Sequence, residues 1–244
     1  MAVGNGINDE IREQRKSMKG KGLKANLDYF FYYYKLHMAI AAAVIIIGGW
    51  FIHDAMTSKE MVFYSAAINS GISHFDDSFG DGFMDYLNLD RDKYVCNIDN
   101  SLYFDSENMN ANLEVQQKIV TLSASGTLDT VIADRKSFAF YAMGGLFNDL
   151  REYYNDDELA ALGDRIYYVD AAKIEENSES DSEIEYKEMT YEEMKEPIPV
   201  GIILTDSSEL KKIGAYEGLE PLIGICYSSG HADYSKKFID FLTK

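Results

Sequence analysis

The stretch Ser125–Leu150, SGTLDTVIADRKSFAFYAMGGLFNDL, sets the class of this fold. Its segment Thr130–Ala133 (TVIA) is short, uncharged and rich in β-branched side chains, the pattern of a strand buried on both faces. Asp134 and Arg135 follow it, and SFAFYAMGG then reads as a short helix that stops at the pair Gly144–Gly145. Just upstream, LEVQQKIVTLSAS places Val115, Ile119 and Leu122 on one helical stripe, with Gly126 as its left-handed stop. Helix, strand and helix in close succession define an α/β unit.

The same alternation continues outward in both directions. Met61–Ile68 (MVFYSAAI) and Tyr94–Ile98 (YVCNI) read as strands, with a helix between them marked by Phe79, Phe83 and Leu87. Ile166–Val169, Val200–Leu204 and Leu222–Tyr227 are later strands, and Tyr234, Phe238, Phe241 and Leu242 give the last helix its apolar face. The expected fold is an α/β domain on a largely parallel sheet, spanning 58–244. Lys173–Glu196 interrupts the alternation with ten acids against three lysines, which favours a solvated insertion over packed structure.

Towards the N-terminus the chain changes character. Met38–Ile52, MAIAAAVIIIGGWFI, carries no charge, but at 1.5 Å per residue it covers only about three-quarters of a hydrocarbon core of roughly 30 Å. The flanks supply the rest. Tyr29–Tyr34 forms an aromatic belt, Lys35 can snorkel, and Trp50 and His53 mark the far boundary. Seven Lys/Arg precede the segment and only Lys59 follows it before Arg91, which orients the N-terminus to the cytoplasm. The reading is a basic tail and aromatic belt at 1–36, a single transmembrane helix at 37–53, and an extracytoplasmic domain beyond. A cleaved signal peptide fits less well, because the lead is long and no small-x-small site follows Ile52. A buried core helix has the same length, but the belt and the one-sided charge oppose it.

Charge narrows the partners. Residues 1–53 carry a net +3, which leaves −21 on the remainder of a chain whose formal charge is −18. So acidic a domain repels phosphate backbones, and nucleic-acid binding is not expected. With 46% hydrophobic and 13% aromatic residues, the chain has the material for a sizeable core. Cys96 and Cys226 sit in apolar runs and read as buried thiols or as one disulfide, the first being favoured. Asp76, Asp77, Asp81 and Asp85 cluster without the spacing of an EF-hand loop, and the four histidines form no zinc set, so no metal or other cofactor is expected. No Gly-x-Ser-x-Gly, P-loop, HExxH or Cys–His arrangement occurs in the sequence, and no catalysis is expected.

Two segments resemble bacterial extracellular solute-binding proteins of the type 2 periplasmic-binding fold. The first is Ser125–Leu150, through Gly126, Asp129, the strand Thr130–Ala133, Tyr141–Ala142, Gly145–Leu146 and Asp149–Leu150. The second, GICYSSGHADYSKKFIDFL (Gly224–Leu242), is similar to a strand, small polar turn and helix of that family's first lobe. The resemblance implies one such lobe. Arg151–Pro199 is too short for a second, and a closing hinge needs both. In open α/β sheets ligands bind beyond the carboxyl ends of the strands, which singles out Asn69, Ser70, Asp134, Arg135, Ser228 and Ser229. The resemblance adds that sugar-binding members place an acid on the ligand near Asp134; capping of the following helix is the alternative role for that side chain. The expected function is a membrane-anchored binding or interaction module, in contact with an envelope protein or polymer. A ligand-capturing receptor serving a transporter or sensor is the alternative.

Overall fold

The structure is a computed structural model that describes residues 12–13, 16, 23–73, 75, 77–106, 108, 112–179 and 189–244. Most of the basic tail lies outside this set, as do the side chains of 23–33 with most of the aromatic belt, His74, Asp76, the Asp77 side chain and the core of the acidic segment at 180–188. The chain divides into two compact units, Met1–Ser58 and Lys59–Lys244.

In the first unit, helix α1 (Leu23–Thr57) runs unbroken for 35 residues. It is long and apolar enough to cross a membrane over Tyr34–Asp54, a window of 21 residues of which none is buried. That window spans about 31 Å, close to a hydrocarbon thickness, because the helix continues through both flanks of the apolar run. Val44, Ile45, Ile46 and Ile47 are consecutive and all exposed. At about 100° per residue they clothe the helix on every side.

The second unit is built on one six-stranded sheet. Its elements are β1 (Glu60–Ile68), α2 (Asp77–Tyr86), β2 (Tyr94–Asp99), α3 (Leu113–Ala124), β3 (Thr130–Asp134), α4 (Arg135–Met143), α5 (Asp156–Leu162), β4 (Ile166–Asp170), α6 (Ala171–Glu179), β5 (Pro197–Ile203), α7 (Ser208–Lys212), β6 (Pro221–Ile225) and α8 (Ala232–Leu242). The strand order is β2-β1-β3-β6-β5-β4. β1 pairs in parallel with β2 and β3, whereas β3–β6, β6–β5 and β5–β4 are antiparallel. The parallel arrangement therefore holds for one half of a mixed sheet. A strand covered on both faces is a continuous apolar run whichever way it points, so the apolar runs alone do not give direction.

Helices cover both faces. On one, Phe63 of β1 meets Phe83 of α2 and Phe238 of α8 at ring separations of 5.1 and 4.8 Å. On the other, Phe138 and Phe147 stack at 4.4 Å. They lie flat on the sheet because two strand positions lack a side chain. A Cβ on Gly201 would come within 2.5 Å of Phe138, and one on Gly224 within 2.6 Å of Phe147. Arg151–Pro199 forms no second lobe; it adds α5, β4 and α6 to the same unit.

One sequence expectation changes here, and the favoured reading of the two cysteines holds. The acidic segment begins as helix α6, with Ile174 partly buried against the second core cluster. Its base is tied down by Asp170, whose buried carboxylate accepts from the backbone N–H of Ala172, Lys195 and Glu196. Burial works to raise the Asp170 carboxyl, but those three donors outweigh it and hold the group below the usual range. Cys96 and Cys226 are both free and buried. They belong to core clusters on opposite faces, and β2 and β6 stand three strand spacings apart, about 14 Å, beyond disulfide reach.

Candidate functional site

The carboxyl ends of β1 and β3 meet where the parallel half of the sheet joins β6. Asn69 closes β1 in a left-handed conformation, φ 56°. Its amide Nδ2 donates to Asp134 Oδ2 at 2.8 Å and to Phe104 O at 2.8 Å and lies 3.0 Å from Ser137 Oγ, while its Oδ1 accepts from Phe104 N at 2.9 Å. Asp134 caps α4, accepting from the N–H of Lys136 and of Ser137 and from Ser137 Oγ at 2.6 Å. The capping role is the one observed.

Tyr216, from the connection between α7 and β6, completes this arrangement. It is 3% exposed, and its hydroxyl lies 3.0 Å from Ile68 O and 3.1 Å from Ile132 O. Its own N–H donates to Ser70 O at 2.8 Å. Burial, with the Asp134 carboxylate as the lesser cause, pushes its phenol well above the ordinary range and keeps it a donor. Tyr216 also has φ 59°, a conformation an aromatic residue rarely adopts. Tyr216 thus packs at the ends of β1 and β3, while Arg135 borders a cavity of about 310 Å³ together with Tyr167, Tyr168 and Asp170. Ser70 is buried, and its hydroxyl reaches only Ile72 O, at 3.5 Å. Arg135 pairs with Glu220 at the start of β6 and lies over the Tyr167 ring at 5.4 Å.

Ser228 and Ser229 do not join this group. β6 runs antiparallel to β3, so the residues after it emerge beside Asp129, at the opposite end of the sheet. There Asp129, with no exposed surface, accepts from Tyr64 N at 2.9 Å, Ser229 Oγ at 2.7 Å and His231 N at 3.2 Å, and faces His231 Nδ1 at 3.3 Å. Ser228 Oγ and Ser123 Oγ are hydrogen-bonded at 2.8 Å. His231, isolated in the sequence, is thus held by a buried acid 102 positions away. The serine proton goes to the carboxylate and the imidazole meets that same carboxylate, an order that ties turns together and does not activate a nucleophile.

A third polar cluster lies between β1, β2 and α3. Asp99 accepts from Lys118 Nζ at 2.6 Å, Tyr64 Oη at 2.7 Å and Ser101 N at 2.9 Å. Burial acts to raise this carboxyl, yet the donors from Lys118, Ser101 and Tyr64 overcome it and hold it far below the carboxylate range. Of the four aspartates grouped around α2, Asp76 and the Asp77 side chain lie outside the described residues. Asp81 and Asp85 both engage Arg91, with Asp81 Oδ2 at 2.9 Å from one guanidinium nitrogen and Asp85 Oδ1 at 3.0 Å from another. Among the described residues no group of three or more His, Cys, Asp or Glu is placed to hold a metal ion.

Asp129, Ser137, Tyr216 and His231 were not among the residues singled out for a site. Only Asp129 left a trace, as the acid of the Gly-x-x-Asp turn; each of the others has a partner 68 to 148 residues away, Asn69 for Ser137, Ile68 for Tyr216 and Asp129 for His231. No protein-family model, curated protein or solved structure matches this chain.

Proposed function

We propose that this chain is a single-pass membrane protein whose acidic α/β domain acts outside the cytoplasm as an interaction module, built like one lobe of the solute-binding proteins it resembles. The observation that carries the reading is Tyr216. Its hydroxyl lies on the carbonyls of Ile68 and Ile132, and Asn69, Asp134 and Ser137 satisfy one another, so the polar groups at this strand end are engaged within the chain, which supports contact through an outer surface over capture of a solute. The anchor is supported by the 21-residue window Tyr34–Asp54 of α1 with its exposed apolar run Met38–Ile52, and the orientation by the basic residues that precede that run.

The test uses the full chain in lipid nanodiscs. A thermal-shift screen against sugars, amino acids, short peptides and divalent ions is expected to leave the α/β transition in place, while affinity capture from membranes recovers a stable protein partner. Stabilisation by several degrees with one solute class would transfer the chain to the receptor reading. Protease protection of the N-terminal tail in intact cells checks the orientation, and an accessible tail would reverse it.

A further inference from the structure

Helix α3 carries two apolar stripes. The inner one, Val115 and Ile119 with Ser123, is buried. The outer one is uncovered among the described residues: Leu113 and Val120 are 63% and 65% exposed. They stand seven residues apart, two turns or about 10 Å along one face, and exposed Ala124 extends the line by one more turn. Beside this stripe, α3 and α4 enclose a groove of about 300 Å³, walled by Ile119, Val120, Phe140, Tyr141, Leu146 and Tyr227. Tyr227 is 59% exposed, and the buried hydroxyl of Tyr141 has no hydrogen-bond partner among the described residues.

No charged residue lines the groove, although 26% of the chain is charged. An uncharged centre rich in tyrosine and phenylalanine is the composition of a protein interface core. Its surroundings are acidic. Glu114 is exposed on α3, and Glu175 and Glu176 are exposed on α6, which reaches the end of α4 through Asn177 Nδ2 and Met143 O at 3.2 Å.

We propose that this groove receives the apolar face of a basic amphipathic helix from a partner protein. A linear stripe beside a groove between two helices matches the anchors of a docking helix, and the −21 carried by residues beyond 53 selects a basic one. The same charge opposes a second copy of this chain, since like fields would be brought together. This inference rests on the interaction-module reading and assigns its contact surface.

The probe is a Leu/Lys amphipathic peptide of about 18 residues, with a Leu/Glu peptide of the same length as control. Both are added to the full chain in nanodiscs of neutral lipid and followed by hydrogen exchange. The Leu/Lys peptide is expected to protect Leu113–Ala124 and Phe140–Leu146, and the Leu/Glu peptide to protect neither. Val120→Asp adds an acid, so a merely electrostatic association would tighten; docking in the groove is instead expected to weaken about tenfold. Tyr227→Asp, at a second exposed position, is expected to do the same. Protection elsewhere, or binding unchanged in both variants, overturns the assignment. So does dimerisation of the wild-type chain that either variant abolishes. A membrane partner recovered equally by wild type and Val120→Asp would sink the groove and leave the interaction module standing.

Discussion

At the scale of single residues, several buried polar groups of this domain are satisfied from within its own chain. Tyr216 lies at the ends of β1 and β3 and supplies a hydroxyl donor to the carbonyls of Ile68 and Ile132. Tyr216→Phe keeps the ring and removes that donor, so it is expected to destabilise the α/β unit by about 1–3 kcal/mol in a denaturant titration. Asp99 makes a pH-dependent contribution. Its carboxyl is depressed in the folded state, so the stabilisation is present above the unfolded value near pH 4 and is lost as pH falls through the lower folded value. Lys118 is 41% exposed, and screening lowers its share. Asp99→Asn is expected to cost about 1–2 kcal/mol at neutral pH, with the gap to wild type closing in acid. A constant gap down to pH 2 would contradict this account.

At the scale of elements, close approach and short tethers carry the packing. The Phe138–Phe147 stack rests on two strand positions without side chains, and a Cβ at Gly224 would also come within 2.9 Å of Val200 O. Gly224→Ala is therefore expected to lower stability by about 1–3 kcal/mol, read as a shifted unfolding midpoint with unchanged slope. The excursion from α6 to β5 has the opposite character. Asp170 grips both ends of it through backbone donors, and Ala171 N donates to Glu196 O at 2.9 Å. Asp170→Ala is expected to raise hydrogen exchange at Ala171, Ala172, Lys195 and Glu196 with little change in the β1–β3 half of the sheet. A collapse of protection throughout the unit would show instead that the excursion is part of the main core.

At the scale of the whole molecule, the two units differ in how they satisfy their apolar groups. The α/β unit buries its own on both faces of the sheet, so removal of residues 1–58 is expected to leave its thermal transition within about 2 °C of the full chain's. Helix α1 leaves its own exposed over a stretch long and apolar enough to cross a membrane. Much of this was legible in the chain as written. Apolar runs and glycine stops marked the six strands and most of the helices, and the long uncharged run marked α1, because these are local consequences of side-chain spacing and backbone conformation. Only the tertiary structure decided the direction of β6, which sends Ser228 and Ser229 to the end of the sheet away from Asn69 and Asp134. Only it brought Tyr216 to Ile68, His231 to Asp129, and Cys96 and Cys226 to opposite faces. These outcomes depend on pairings between segments distant in sequence, whose energies are set by which strand lies beside which. No local pattern encodes that order.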